Sequence, residues 1–524
     1  MEFIDYSHSS LSLLPPLVAL GLAILTRRVL VSLGVGILLG ALLLHGFSLS
    51  GTGAYVFTTF SSVVFDSGNL QIVAFLVLLG MATALLTLSG GTAAFALWAQ
   101  KRIRTKRDAK LLTASLGVLI FIDDYFNSLA VGSIARPVTD RYYVSRAKLA
   151  YLLDSTAAPM CVLMPASSWG AYIITVIGGI LVSHGITEYS AMKAFMTLIP
   201  MNFYAVFALL LVFVVAWFQV DIGPMRRHEQ EAVRGKGFKE NDAASSDLNE
   251  DLGISESKGG RVSDLLLPIL TLIGATIFFF LYTGAQALAA DGLSFSLLGA
   301  LEETDVNISL FYGGLVGLFA ALYPVVRQKL PVADIGRTLW VGAKSMFGAI
   351  LILFFAWSIG GVIGDMATGQ YLSTMVEGNI SPSLLPVILF LLAGVMAFST
   401  GTSWGTFGIM LPIAGDMAAA TEISLMLPML SAVLAGAVFG DHCSPISDTT
   451  ILSSTGARCN HIDHVQTQLP YALAAALIAS VGFLILGITS SLLTAFIVAF
   501  MMFIIVSAGL IWLSRKPTTK PQQV

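Results

Sequence analysis

The chain has 524 residues, of which 56% are hydrophobic and only 11% are charged, and its mean hydropathy is +0.84. These values are typical of a polytopic membrane protein and exclude an ordinary soluble domain. The net charge of −3, with basic residues confined to short runs, excludes a nucleic-acid-binding surface. The three cysteines, Cys161, Cys443 and Cys459, have no metal-like spacing, so neither a zinc site nor a disulfide framework is predicted.

The chain begins with three apolar stretches, at 13–26, 29–48 and 70–97, that are about long enough to span a membrane. The first has neither a basic start nor a small-residue cleavage site, so we expect it to be retained. The run KRIRTKR follows, with five basic residues and no acid, and is predicted to be cytoplasmic. The residues before the first span include Glu2 and Asp5 but no Lys or Arg, which predicts an outside N-terminus.

The segment 109–135, which contains FIDDYFNS, lies between KRIRTKR and a second basic stretch, RPVTDRYYVSRAK. If both basic stretches are cytoplasmic, the segment enters and leaves the membrane from one side and forms a re-entrant hairpin. Irregular backbone at that depth is tolerated where it is buried in protein or lines a water-filled cavity. We therefore expect the hairpin tip to line such a cavity.

An interrupted span at 148–183 and a returning span at 191–219 complete the first half. The stretch 221–262 then holds nine acidic and seven basic residues among many Gly, Ser and Asn, and predicts a hydrophilic cytoplasmic linker between two halves.

The second half repeats this order, with spans near 263–285, 308–326 and 336–363, a polar-centred apolar piece at 383–414, an interrupted span at 426–456, and spans at 466–488 and 490–513. Counting the crossings gives the halves opposite orientations, as in many secondary transporters. The sequence predicts an all-α polytopic membrane protein with two inverted-topology repeats, re-entrant hairpins and broken transmembrane helices, about 11–12 spans plus two hairpins. The repeats cover 1–220 and 263–490, and 491–524 adds a transmembrane helix and a cytoplasmic tail.

Polar residues in the first-half hairpin and broken span are candidates for a cation site. An aspartate inside an apolar segment is costly, which makes function the default hypothesis. Asp124 and Asn127 offer carboxylate and amide oxygens, and Asp154 and Thr156 lie beside a proline that frees a helix carbonyl. Two structural alternatives stay open: aspartates that face water or pair with nearby arginines, and a proline kink whose hydroxyls bond to their own helix.

The second hairpin tip, FSTGTSWGTFG, supplies hydroxyls and glycines but no charge. Thr400, Thr402 and Ser403 are the candidates for an ion's oxygen shell, although the pattern suits a substrate carboxylate equally well. Close helix packing through small residues is the structural alternative.

The segment GDHCSPISDTTILSS concentrates the largest number of candidates. Its predicted cation ligands surround Pro445 and are Asp441, Ser444, Ser447, Asp448 and Thr449. Desolvation raises the affinity of a carboxylate for protons, so H⁺ and Na⁺ can compete for one group, and Asp154, Asp441 and Asp448 are the proton-binding candidates. His442 is a possible pH sensor, with a plain hydrogen-bonding role as its alternative.

Four segments, FIDDYFNSLAVG, LLDSTAAPMCVLMPASSWGAYI, STGTSWGTFGIMLPIA and FGDHCSPISDTTILSSTGA, together resemble the NhaC family of sodium/proton antiporters. The likeness covers about 109–180 and 340–475. It implies a multi-pass secondary transporter of the bacterial cytoplasmic (inner) membrane, with a cytoplasmic C-terminus, and is compatible with a homodimer. It also implies Na⁺ and H⁺ as transported ions, no cofactor, and no nucleic-acid partner.

The predicted function is exchange of Na⁺ or Li⁺ for H⁺ by alternating access. A Na⁺- or H⁺-coupled carrier of a small carboxylate or amino acid is the alternative, although the broken spans contain no arginine to pair with a carboxylate. A passive channel through the same break is a third hypothesis. An enzyme is not expected, because no nucleophile–base constellation or cofactor-binding loop occurs.

Overall fold

The structure is a computed structural model that describes residues 3–26, 28–235, 257–290, 292–368, 371, 381–445 and 447–515. Over these residues every regular element is a helix. The first-half helices α1 to α12 are Leu14–Thr26, Val29–Leu44, Leu49–Val64, Ser67–Leu88, Gly91–Gln100, Lys106–Leu119, Asp124–Arg141, Arg146–Cys161, Ser168–Ser183, Ala191–Met201, Phe203–Phe218 and Gly223–Val233. The second-half helices α13 to α23 are Val262–Ala290, Leu297–Glu302, Val306–Arg327, Val332–Ser345, Phe347–Asp365, Leu385–Thr400, Ser403–Thr421, Met426–Cys443, Asp448–Ala457, His461–Thr489 and Leu492–Arg515.

Within the described residues, nine continuous helical stretches are long and apolar enough to cross a membrane, and four shorter apolar helices accompany them. The prediction of an all-α polytopic membrane protein is therefore confirmed. The predicted spans correspond to helices, with four differences. The span 191–219 is divided between α10 and α11, and the span 336–363 between α16 and α17. The apolar stretch 70–97 is divided between α4 and α5, and α3 was missed because its Ser and Thr residues break the apolar run.

Two helical hairpins lie where the sequence predicts them. In the first, α6 and α7 are joined by 120–123, and the Asp123 side chain begins α7 by accepting a hydrogen bond from the Phe126 N–H at 3.1 Å. In the second, α18 and α19 are joined by 401–402, where Gly401 takes a left-handed φ of 71°. Glycine reaches this conformation without a steric penalty, so the chain reverses over two residues.

Two broken helices follow the hairpins. The first consists of α8 and α9, separated by 162–167, and the second of α20 and α21, separated by 444–447. Ser167 and Ser447 cap the second member of each pair by accepting hydrogen bonds from backbone N–H groups. The interrupted spans predicted at 148–183 and 426–456 are thus confirmed.

The order hairpin, then broken helix, occurs in both halves, and the halves pack closely at α7 and α21. A Cβ on Gly132 would lie 2.8 Å from the Gly456 carbonyl carbon, and the hydroxyls of Ser128 and Ser453 are 3.1 Å apart. Small residues at this contact let the two backbones approach. The opposite orientation of the two repeats in the membrane stays a prediction.

The predicted linker 221–262 needs a correction at its start. Residues 223–233 form α12, whose Glu229 is buried at 4% exposure and accepts hydrogen bonds from the Ser145 N–H and hydroxyl, both at 2.8 Å. The prediction rested on the number of charged residues in this stretch. That number does not reveal that one of the acidic residues is buried beside basic residues. Residues 236–256 of the predicted linker, and the tail 516–524, lie outside the described residues.

Candidate functional site

The tip of the first hairpin contacts the break of the first broken helix through two adjacent aspartates. Asp124 accepts a hydrogen bond from the Trp169 indole N–H at 2.9 Å, and Asp123 accepts one from the Ser168 hydroxyl at 3.0 Å. Asp123 also caps α7, so both of its oxygens have protein partners. Asp124 is the member of the pair that stays available for a ligand.

The second hairpin meets the second broken helix in a related way. The Ser403 hydroxyl donates to Asp441 Oδ2 at 2.8 Å, and the Ser444 hydroxyl donates to the Phe398 carbonyl at 2.7 Å. Asp441 is 1% exposed. The hairpin tip therefore supplies hydroxyls to a carboxylate that lies near the C-terminus of α20.

The triplet Ser-Trp-Gly occurs at both contacts, as 168–170 and as 403–405. Each triplet opens a helix, α9 or α19, and the serine of each donates to an aspartate of the neighbouring element. In the first half the triplet lies on the broken helix and the aspartate on the hairpin. In the second half the triplet lies on the hairpin and the aspartate on the broken helix.

Asp448 connects the two halves, because the Tyr125 hydroxyl of the first hairpin donates a short hydrogen bond to its Oδ2. Asp448 opens α21, next to the Ser447 cap, whose hydroxyl lies 2.8 Å from that of Thr449. The carboxylate of Asp448 also interacts electrostatically with those of Asp124 and Asp441. Asp448 therefore lies where the first hairpin meets the second broken helix.

Asp154 lies in a polar cluster of α8 and α22. Its Oδ2 accepts from Gln468 Nε2 at 2.7 Å and lies 3.2 Å from His464 Nε2. Gln468 Nε2 also donates to the His442 carbonyl at 2.5 Å.

The His442 ring continues this chain of hydrogen bonds. Its Nε2 is 2.9 Å from the Ser155 hydroxyl and its Nδ1 is 2.7 Å from the Tyr204 hydroxyl. The ring is 3% exposed. This geometry supplies the hydrogen-bonding role that the sequence left as the alternative, and the pH-sensor role stays a prediction.

Several buried oxygens of the predicted site lack a hydrogen-bond partner within the described residues. They are Asp124 Oδ2, Asn127 Oδ1, Asp154 Oδ1 and Asp441 Oδ1. The groups that contact the four aspartates are indole, hydroxyl, amide, imidazole and backbone N–H groups, and in the described part of the chain no lysine or arginine pairs with them. A buried carboxylate without a basic partner requires a cation or a proton.

That the four aspartates form one cation- and proton-binding centre stays a prediction. In the described ranges no three or more His, Cys, Asp or Glu side chains converge as a metal site. The Thr156 and Thr400 hydroxyls donate to their own helices, at Leu152 and Met396. Hydroxyl groups in a helix can satisfy themselves on the preceding turn, and the sequence does not indicate which ones do so.

Asn127 and Thr402, the remaining candidates, lie beside the hairpin loops. Asn127 Nδ2 donates to the Gly117 and Ile120 carbonyls at 2.6 and 2.8 Å, so its amide bridges the two arms of the first hairpin and its free oxygen is held in place. Thr402 is the residue before α19, and its side chain makes no capping hydrogen bond.

A cluster of aromatic side chains lies directly beside Asp124. Trp169 packs edge-on against Trp404 and Phe407, with ring centroids 6.0 and 5.6 Å apart, and Tyr172 stacks on Trp404 at 4.8 Å. All four rings are buried. We call them the aromatic cluster.

The sequence reading missed several residues that contact the candidates. Trp169 and Tyr125 donate hydrogen bonds, the Tyr204 hydroxyl is hydrogen-bonded to the His442 ring, and His464 and Gln468 contact Asp154. The repeated Ser-Trp-Gly triplet was a visible signal for Trp169 and for its counterpart Trp404. No comparable pattern marks His464 or Gln468, which lie in the long helix α22.

Comparison with known proteins identifies the family. Residues 160–488 match the Na⁺/H⁺ antiporter family. The chain belongs to this family. It is 56% identical to an uncharacterized protein of Haemophilus influenzae over 95% of this chain and 94% of that protein. It is also 29% identical to the malate-2H⁺/Na⁺-lactate antiporter of Bacillus subtilis, over 35% of this chain and 38% of the antiporter.

Among solved structures, the Alcanivorax borkumensis YdaH transporter has a related fold, with a TM-score of 0.51 and 15% identity over 84% of this chain and 89% of that one. The expected family is thus confirmed, and the protein is a multi-pass membrane transporter of the Na⁺/H⁺ antiporter family.

Proposed function

We propose that this transporter exchanges Na⁺, or Li⁺, for H⁺ across the cytoplasmic membrane by alternating access. The observation that carries the proposal is the set of buried carboxylate oxygens without a protein partner, on Asp124 and Asp441, close to the third acid Asp448. Leaving such groups charged and unpaired in a membrane interior is costly. Either a bound sodium ion or a bound proton removes that cost.

Competition for the same oxygens couples the two ions. Burial favours the protonated form of a carboxylate, and a cation close by favours the ionised form. Sodium entering the site therefore displaces a proton, and a proton binding from the other side displaces sodium. Because Asp448 interacts with both Asp124 and Asp441, we expect protons to be shared among these acids rather than held by one of them.

The surrounding oxygens suit a sodium ion better than a divalent metal. Asp441 is accompanied by the Ser403 hydroxyl, and Asp448 lies next to the hydroxyls of Ser447 and Thr449. Hard cations take oxygen ligands of these kinds. One carboxylate with several neutral oxygens leaves the site close to electrically neutral when one monovalent ion is bound.

Alternating access requires a barrier on at least one side of the acids. The aromatic cluster supplies such a barrier: Trp169 donates to Asp124 on one side, and Tyr172 donates to the Trp404 carbonyl at 3.2 Å on the other. The cluster joins the first broken helix to the second hairpin, so relative motion of these two elements would open it.

The deciding experiment uses the purified protein in liposomes that contain a pH-sensitive dye. An inward sodium gradient should drive proton efflux in the wild type and none in Asp441→Asn or Asp448→Asn, because the amide cannot bind a proton or carry the charge that binds sodium. Asp334→Asn, an exposed aspartate in the first turn of α16, is the matched control and should transport like the wild type. Wild-type rates in both site variants would overturn the proposal.

A second candidate, sodium- or proton-coupled exchange of an organic acid, is favoured by the name of the Bacillus subtilis relative. The same liposomes distinguish it. Proton movement that begins only after malate or lactate is supplied would assign the transporter to this second function, whereas proton movement with sodium alone supports ion exchange.

A further inference from the structure

A cavity of about 820 Å³ lies between α9, α17 and α19, at the ends of these helices that are remote from the hairpin tips. We call it the chamber. A volume between about 300 and 1,000 Å³ is usual for small-molecule sites. Since one water occupies roughly 30 Å³ in the liquid, the chamber is far larger than a sodium ion needs.

Glycines keep the chamber open. A Cβ atom added to Gly179, Gly361 or Gly364 would meet nothing within 4 Å, so close packing does not explain these glycines. Each lies within or close to the end of a helix, where glycine costs about 1 kcal/mol relative to alanine in the interior. This loss of helix stability is explained if the open space of the chamber has a function.

The charged lining of the chamber is mainly acidic. Asp416 forms a 2.9 Å ion pair with His184, and Asp365 accepts a hydrogen bond from the Tyr55 hydroxyl at 2.6 Å. The described lining residues include no lysine or arginine. Even with His184 protonated, the lining keeps one net negative charge, which attracts a cation and repels a monoanion.

Trp357 adds a specific recognition element to the chamber wall. Its indole Nε1 is buried and has no hydrogen-bond partner among the described residues. Because this atom is fully covered by the protein, the indole N–H does not face the chamber. The ring itself is a favourable surface for an ammonium group, because its face is electron-rich.

The closed end of the chamber is separated from the buried aspartates by the aromatic cluster. Ala356 and Pro412 line that end, and a Cβ on Gly408 would lie 2.8 Å from the Ala356 Cβ and 3.3 Å from the Tyr172 hydroxyl. Tyr172 stacks on Trp404 and so continues the barrier toward Asp124. The chamber is therefore a site distinct from the cation-binding acids.

We propose that the chamber binds a small organic amine in its protonated form. The ammonium group lies near Asp365 and Asp416, and the carbon skeleton lies along the glycine-lined walls and Trp357. A carboxylate of the same size is disfavoured, because the lining offers it no strong basic partner.

Isothermal titration calorimetry on the purified full-length protein tests this proposal with two probes that share a phenylethyl group and differ in charge, phenethylamine and 3-phenylpropionate. Phenethylamine should bind, and phenylpropionate should bind at least about tenfold more weakly, a difference of about 1.4 kcal/mol. Gly361→Leu fills the chamber and should weaken phenethylamine binding at least about tenfold as well.

Gly509→Leu is the matched control, because a Cβ there also meets nothing within 4 Å but the residue lies on the exposed surface of α23, away from the chamber. It should bind phenethylamine like the wild type. Absence of phenethylamine binding, equal binding of the two probes, or unchanged binding in Gly361→Leu would each overturn the proposal.

The test of amine binding in the chamber can fail or succeed independently of the test of ion exchange. Asp441→Asn, which should stop sodium-driven proton movement, should bind phenethylamine like the wild type, because the aromatic cluster lies between the two sites. Loss of phenethylamine binding in Asp441→Asn would contradict the separation of the chamber from the acids, whatever the transport assay shows.

Discussion

Replacement of Glu229 by alanine should destabilise the protein strongly. Glu229 Oε2 lies 2.6 Å from Lys106 Nζ and 3.4 Å from Lys110 Nζ, and Oε1 accepts both hydrogen bonds from Ser145. Lys106 is 23% exposed and can turn toward water, whereas Lys110 is fully buried. In Glu229→Ala the Lys110 ammonium stays in the interior without its carboxylate.

The expected magnitude follows from this burial. Breaking a buried ion pair by removing one partner costs about 3–5 kcal/mol, mostly because a charge is left uncompensated. Glu229→Gln should lie between the wild type and the alanine variant, since an amide oxygen can still accept from Ser145. The consequence concerns the candidate site, because Lys110 is on α6 and Ser145 caps α8, the helices that lead to Asp124 and Asp154.

The assay is denaturant unfolding of the purified protein in detergent micelles, followed by circular dichroism. Glu231→Ala is a matched control on the same helix, since Glu231 pairs only with exposed Arg227 at 3.1 Å and its loss should change stability by less than about 0.5 kcal/mol. A Glu229→Ala variant within about 1 kcal/mol of the wild type would refute the reasoning, because that result means Lys110 is not confined by a buried pair.

Two further predictions concern packing and topology. Gly440→Ala places a Cβ 2.0 Å from the Gly394 carbonyl oxygen and should destabilise the protein by about 1–3 kcal/mol or more. Gly274→Ala, whose Cβ would meet nothing within 4 Å, is the control and should be neutral or slightly stabilising. Equal unfolding midpoints of the two variants would contradict the α18–α20 contact. The three native cysteines are buried, so Thr187→Cys and Arg104→Cys can be labelled selectively with an impermeant maleimide on intact cells. Labelling is expected at position 187 from outside and at position 104 only after permeabilisation, and the reverse pattern would show that the predicted orientation is wrong.

Most of the helical architecture could be predicted from the sequence. Apolar runs of about 20 residues report membrane spans directly, and Pro, Gly and Asp inside such runs report where a helix breaks. The breaks at 162–167 and 444–447 and the hairpin loops at 120–123 and 401–402 all fall within segments singled out in this way. These signals are local, so one sequence suffices to detect them.

The partners within the candidate site could not be predicted in the same way. Tyr125 and Asp448 are 323 residues apart, and Asp154 meets His464 and Gln468 across more than 300 residues. Periodicity along a helix does not specify which other helix it packs against. The same limitation explains why α12 was interpreted as part of a solvated linker, although Glu229 is buried among basic residues of α6.

The sequence by itself determined the class of protein, the position of the helix breaks and the residues that carry charge into the membrane. Those properties follow from the cost of placing polar groups and irregular backbone in a lipid interior, which every residue experiences wherever it lies in the fold. Tertiary structure alone decided that Asp123 is a capping residue while Asp124 keeps a free oxygen, and that Asp154 meets His464 of α22. These outcomes depend on the direction of each side chain and on neighbours distant in sequence, which only the packed helices fix.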